Sequence, residues 1–182
     1  MKQLAVLVSG EGTILQEIVA DDIPIAAVVA DRECPALEFA RKQKLKVYVI
    51  GNTDKEVTLT RALIAILKNE KIELVMAAGF MSILNRAIFC EFPHPIIGTH
   101  PSLLPAFPGP KAVEDALKYG VKISGCTVFR LTARIDAGEI IAQRHVRVQD
   151  GDTVESLHRR IKVEEWNLVP QVLRKIMDLP YD

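Results

Sequence analysis

Short apolar runs that alternate with segments of helical periodicity constrain this chain more than any other feature. Leu4–Val8 is the first run and opens directly into Ser9-Gly10-Glu11-Gly12-Thr13, then a short helix reaching about Ala20. Residues 25–30 form a second run, with Asp31 or Glu33 opening a helix through Arg41. Residues 46–50 form a third, and residues 54–69 then place Leu59, Leu63, Ile66 and Leu67 at helical spacing. Residues 74–78 form a fourth, followed by Gly79-Phe80-Met81 and a short helix over 84–89. Strands without a polar face are buried on both sides, which means a parallel sheet covered by helices. Crossovers in such a sheet are right-handed, and ligands sit at the carboxyl ends of its strands.

After His100 the pattern changes. A helix over 111–119 leads to two longer runs, 123–131 and 140–148, which read as a hairpin-like pair, and a long helix over 153–177 follows. The expectation is an α/β fold. It is a single domain, 1–182, with a Rossmann-like, mostly parallel sheet, helices on both faces and an antiparallel C-terminal strand extension.

Composition excludes several classes. Lysine plus arginine and aspartate plus glutamate number 23 each, so no polyanion-binding surface is expected, and few aromatic residues are available to stack on bases. Three dispersed cysteines, Cys34, Cys90 and Cys126, argue against a disulfide framework or zinc cluster and for a reducing compartment. The N-terminus runs straight into a strand with no signal peptide, and no apolar run is long enough to span a bilayer. The expected protein is cytoplasmic, acts on small molecules without nucleic acid, membrane or metal, and is a monomer or homodimer.

The Gly10-x-Gly12 loop admits three readings. A dinucleotide fingerprint wants a third glycine where this chain has Leu15, although Asp31 stands near the position of a ribose-binding acid. A bare strand-to-helix turn is the second. The third is a single-phosphate cradle, in which backbone N–H groups opening the next helix point at an anion.

The stretch Gly98-Thr99-His100-Pro101-Ser102-Leu103-Leu104-Pro105-Ala106-Phe107-Pro108-Gly109 ends a buried strand in a histidine and continues as a proline-stiffened loop. A histidine there suits acid–base chemistry near neutral pH. Asp136-Ala137-Gly138 offers a carboxylate in a turn that could orient the imidazole, or merely a turn former. The remaining histidines, His94, His145 and His158, are expected at the surface.

These motifs resemble the glycinamide ribonucleotide transformylase family and the wider formyltransferase superfamily. The resemblance extends over nearly the whole chain and implies one formyltransferase domain. It implies transfer of a formyl group from 10-formyltetrahydrofolate, a co-substrate, to the amine of glycinamide ribonucleotide in purine biosynthesis. It further implies that His100 donates to the oxyanion while Asp136 keeps the imidazole protonated and oriented. Gly10, Gly12 and Thr13 are implied to hold the substrate phosphate; Lys162 and Glu165, three apart on one helix face, are implied to contact the phosphoribosyl end. For the latter two, a solvated ion pair is the alternative. Met81, Ile83, Leu84, Ile88 and Phe89 are implied as apolar walls of the folate pocket, closed by Leu131, Ile135 and the loop between them.

Four positions depart from the family pattern. Gly98 stands where the family has an asparagine, Ile14 where it usually has another, Ser82 where it tends to have a basic residue, and Phe129 where it tends to have a histidine. Thr99 cannot replace the missing amide, because strand residues i and i+2 share a face and Thr99 points away. An ordered water in the space above Gly98 is one expected substitute. These departures keep two alternatives open: a formyltransferase acting on another amine, such as an amino-sugar nucleotide, and a catalytically silent folate- or nucleotide-binding protein.

Overall fold

Strand β1 (Leu4–Val8) is buried along its whole length because it is paired on both edges. In the computed structural model, which describes residues 2–51 and 56–180, the chain divides into two compact units, Met1–Ile97 and Gly98–Asp182. In the first unit β1 runs parallel to β2 (Ala27–Ala30) on one side and to β4 (Leu74–Ala77) on the other. Strand β3 (Val47–Val49) adds to β2, giving the order β3-β2-β1-β4. The central strands are continuous apolar runs, whereas β3, paired on β2, is only half-buried.

Helix α1 (Thr13–Ala20) buries Ile14, Leu15 and Ile18, one face of a two-turn helix. Helix α2 (Pro35–Lys42) begins later than the expected Asp31 or Glu33. Pro35 takes the first helical position, where its missing N–H is harmless, and forces Cys34 to be extended with φ −157°. Helix α3 (Glu56–Asn69) buries Leu59, Leu63, Ile64 and Leu67, while the expected start at Asp54 lies outside the described residues. The next helix, α4 (Ala87–Glu91), starts three residues after the expected position 84. The Asn85 side chain accepts from the Ala87 N–H, and its own N–H goes to Thr60 Oγ1, so the helix is capped from outside at Asn85.

Strand β5 (Ile96–His100) carries the chain into the second unit. There α5 (Ala112–Tyr119) precedes β6 (Ile123–Arg130) and β7 (Ile140–Arg147), an antiparallel pair whose register shifts between Val128 and Phe129. Helix α6 (Val154–Met177) opens on a capping box, with Thr153 accepting from the Ser156 N–H and Ser156 accepting in return, and packs along β6 and β7. Thr153 is therefore the cap of the last helix rather than its first residue. The α/β class, the mostly parallel strands and the antiparallel C-terminal pair are as the sequence predicts.

Candidate active site

In the second unit, the strand end and the turn that the sequence singled out meet. His100 is buried at the end of β5, with Nδ1 3.5 Å from Asp136 Oδ2 and Nε2 2.8 Å from the Phe107 carbonyl oxygen. The same Asp136 oxygen accepts the Gly109 N–H at 2.8 Å, so one carboxylate ties the imidazole to the far end of the 101–109 loop. Both Phe107 and Asp136 hold left-handed backbone conformations, φ 52° and 49°, which are uncommon for residues with a side chain.

The loop between them is clamped by β6 and β7. The Thr127 hydroxyl donates to the Ser102 carbonyl at 2.7 Å and accepts from the Leu104 N–H at 3.0 Å. Gln143 Nε2 completes that hydroxyl at 3.0 Å and also donates to the Leu104 carbonyl at 2.8 Å. Buried polar groups left without partners are costly, so this saturated set favours a single loop conformation. Across the turn, Gly138 is required by space. A Cβ there would lie 1.6 Å from the Arg130 carbonyl oxygen.

The two faces of β5 differ. On the His100 face, the heavy atoms nearest to a Cβ on Gly98 would be side-chain carbons of Leu131 at 3.4–3.5 Å, an ordinary van der Waals contact. On the opposite face the Thr99 hydroxyl bonds the Glu165 carboxylate of α6. Glu165 is 7 % exposed, and burial pushes its carboxyl up to about 7 against the pull of Thr99 and Lys162. That corrects the solvated-ion-pair alternative: Lys162 is exposed, but Glu165 is packed under the helix. The buried Cys126 thiol is pushed up to about 12, first by burial and then by the Glu165 charge. His158 is likewise half-buried rather than at the surface, and burial, with Lys162 beside it, lowers its pKa.

In the first unit the glycine loop caps α1. Gly12 sits at φ 70° against α2, where a Cβ would come within 2.5 Å of Ala36 Cβ. No side chain caps this helix, so its opening N–H groups remain turned to the loop, while Ile14 is packed in the core. Asp31, at the end of β2, is fully buried. It receives Ser82 Oγ at 2.6 Å and two Arg32 nitrogens at 2.9 and 3.1 Å, as well as a bond from Ser9. Burial pushes its carboxyl up, yet these donors outweigh burial and hold it below its usual value. With its oxygens taken up this way, Asp31 is no ribose ligand, and the dinucleotide reading loses its acid. Met81 and Ile83 are 75 % and 73 % exposed, large apolar groups open to a ligand, whereas Ile88 is wholly core. Leu84, Phe89 and Leu131 are half-buried, and Ile135 is 82 % exposed.

Residues 2–173 match the family described as formyl transferase. The chain belongs to the formyl transferase family. Phosphoribosylglycinamide formyltransferase of Mycobacterium tuberculosis is 42 % identical to it over 178 residues, covering 92 % of this chain and 81 % of that protein. The Bacillus subtilis protein of the same name is 31 % identical over 188 residues, covering 98 % of this chain and 96 % of that protein. Among solved structures, glycinamide ribonucleotide transformylase 1 from Symbiobacterium toebii superposes with a TM-score of 0.91 at 39 % identity, covering 98 % of this chain and 88 % of that one.

Several groups in this formyl transferase escaped the sequence reading. Thr127 and Gln143 hold the histidine loop, Ser82 with Arg32 holds Asp31, and Leu131 overlies Gly98. A threonine inside the apolar run of β6 was the one visible signal, since a buried hydroxyl needs partners. Among the described residues no cluster of three potential metal ligands occurs, and no helix is long and apolar enough to cross a membrane.

Proposed function

We propose that this formyl transferase moves the formyl group of 10-formyltetrahydrofolate onto the amine of glycinamide ribonucleotide, a step of purine biosynthesis. The observation that carries the reading is the contact of His100 with Asp136 at 3.5 Å, within a chain matched to the formyl transferase family over residues 2–173. Relatives named for this activity support the choice of substrate.

The amine attacks the formyl carbon, negative charge develops on the formyl oxygen, and a proton passes from the amine to the departing folate nitrogen. The Phe107 carbonyl only accepts, so His100 carries its Nε2 proton inward and has Nδ1 left for the reacting groups. An N–H at Nδ1 would donate a hydrogen bond to the developing negative charge on the formyl oxygen and keep its proton when the carbonyl re-forms, with Asp136 orienting the ring. Gly10, Gly12 and Thr13 would hold the phosphate through backbone N–H groups, and Lys162 and Glu165 the ribose end. Met81, Ile83, Leu84, Phe89, Leu131 and Ile135 would contact the folate, with Ile88 supporting them from the core. The reading takes residues 1–182 as one cytoplasmic formyltransferase domain, monomer or homodimer, without a metal.

The test is formyl transfer from 10-formyltetrahydrofolate to glycinamide ribonucleotide by the protein and by His100→Ala. Activity lost in the variant supports the reading. Folate binding without transfer by the starting protein overturns it in favour of a binding role, and transfer only to other amines overturns the substrate.

A further inference from the structure

Asp31 stands just past the carboxyl end of β2, fully buried, and draws donors from three parts of the first unit. The pairing of Val8 with Ala30 sets the residues that follow them, Ser9 and Asp31, side by side where β1 and β2 end. In an open parallel sheet that is the ligand-binding end. Ser9 bonds the carboxylate and also accepts the Met81 N–H at 2.8 Å. Ser82 Oγ donates to Oδ2 at 2.6 Å, while Arg32 lays Nε on Oδ1 at 3.1 Å and Nη2 on Oδ2 at 2.9 Å. One carboxylate thus fixes the residue before Gly10, the 81–82 segment and a guanidinium.

The two ends of this ion pair differ in exposure. The Asp31 side chain is wholly buried, whereas 46 % of the Arg32 side chain is exposed. A guanidinium is planar and carries its N–H groups in a rigid fork. With the Nε–Nη2 edge on Asp31, the Nη1–Nη2 edge faces away from the carboxylate, and its remaining N–H groups have no acceptor among the described residues. Neutralising Asp31 needs only a positive charge. A fork held edge-on does more, because it leaves a second bidentate edge pointing outward. Through the shared carboxylate that fork lies within two hydrogen bonds of Ser9, which precedes Gly10, and of Ser82, which stands between the largely exposed Met81 and Ile83.

We propose that Arg32 is a further substrate-binding residue: Asp31 holds its guanidinium so that the outward Nη1–Nη2 edge takes the anionic oxygens of a substrate. The bond is a pair of parallel, charge-assisted N–H···O contacts, which a phosphate and a carboxylate satisfy alike. Both chemistries occur in the reaction, a phosphate on glycinamide ribonucleotide and carboxylates on the folate. Asp31 touches neither substrate and is a positioning residue. This inference rests on the formyl-transfer reading above.

Arg32→Lys keeps a charge for Asp31 but removes the fork, which separates ligand binding from neutralisation. For the starting protein, Arg32→Lys and Asp31→Asn, the Kd of glycinamide ribonucleotide and of 10-formyltetrahydrofolate are measured separately by titration calorimetry, with kcat, KM and melting temperature alongside. Expected is that Arg32→Lys raises Kd and KM for one of the two compounds by about 10-fold, with kcat within about 2-fold and the melting temperature little moved. A rise for glycinamide ribonucleotide assigns the phosphate to Arg32, and a rise for the folate assigns a carboxylate. Asp31→Asn, which lets the guanidinium turn, should weaken the same compound; where it does not fold, Arg32→Lys decides. Unchanged affinity for both compounds overturns the proposal and leaves Arg32 a counter-ion, as does weaker binding of both with a lowered melting temperature. If the starting protein binds the compounds but transfers no formyl, the functional reading fails while the Kd comparison still decides Arg32. If it binds neither, both fall.

Discussion

His100 Nε2 and the Phe107 carbonyl oxygen lie 2.8 Å apart, which assigns the ring's two nitrogens different duties. A carbonyl only accepts, so Nε2 is the fixed donor and Nδ1 the nitrogen on the Asp136 side. An asparagine places its amide nitrogen near the Nδ1 position and a glutamine near Nε2. His100→Asn is therefore expected to retain at least about 10-fold more activity than His100→Gln, with His100→Ala lower by about 10³-fold than the starting protein. A higher rate for His100→Gln than for His100→Asn would assign the chemistry to Nε2 instead, and equal rates would overturn the division of duties between the two nitrogens.

Asp136→Asn keeps the shape of the carboxylate and an oxygen for the Gly109 N–H, but removes the charge facing His100. kcat should fall by about 10²-fold or more while the melting temperature moves little. A variant that melts much earlier but turns over normally would make Asp136 a structural turn residue.

Glu165 gives the protein a pH-dependent stability of unusual sign. Its folded pKa is about 7 against an ordinary 4.5, so between these values the folded state binds more protons than the unfolded one. Stability contributed by this group is fully present below about pH 4.5 and is lost as pH rises toward 7. At 1.36 kcal/mol per pKa unit, the loss is on the order of 3 kcal/mol. Chemical denaturation of Glu165→Gln across pH 5–8 should show a flatter profile and greater stability at pH 8 than the starting protein. Thr99→Val, which removes the bond that favours the charged form, should shift the decline to higher pH.

Ser82→Ala leaves the fully buried Asp31 carboxylate one donor short, at a cost of about 1–2 kcal/mol. Asp31 has a depressed pKa, so its contribution is present above its unfolded value near 3.8 and is lost as pH falls through the folded value. Acid unfolding of Ser82→Ala should therefore begin at a higher pH. An unchanged acid midpoint would show that Arg32 and Ser9 suffice.

Gly138→Ala would push a Cβ into the Arg130 carbonyl at 1.6 Å, so the turn must open. A loss of about 2–3 kcal/mol is expected, with activity lost along with the His100–Asp136 contact. Full activity with an unchanged melting temperature would sink this account of the turn.

The order of elements was legible in the sequence because each strand of the first unit is an apolar run, and burial on both faces leaves that mark. Helix starts were less so. Pro35 and Asn85 each move a boundary by local chemistry that apolar spacing ignores. The contact of His100 with Asp136 was foreseen through the family resemblance and is present in the geometry. The bonds of Thr127 to the loop, of Thr99 to Glu165, and the packing of Leu131 on Gly98 were not. Each joins residues distant along the chain, one member of which is an ordinary threonine, glycine or leucine whose meaning lies in its neighbour.

The Thr127 hydroxyl imposes an assembly order on the second unit. A chain made from its N-terminus presents His100 and its loop before Thr127 and Gln143 exist to shape them. Those long-range bonds must wait for the β6–β7 ribbon to close, so the histidine is among the first of these residues to be synthesised and among the last to be positioned. Unfinished chains thus carry the reactive side chain without the geometry that would let it act.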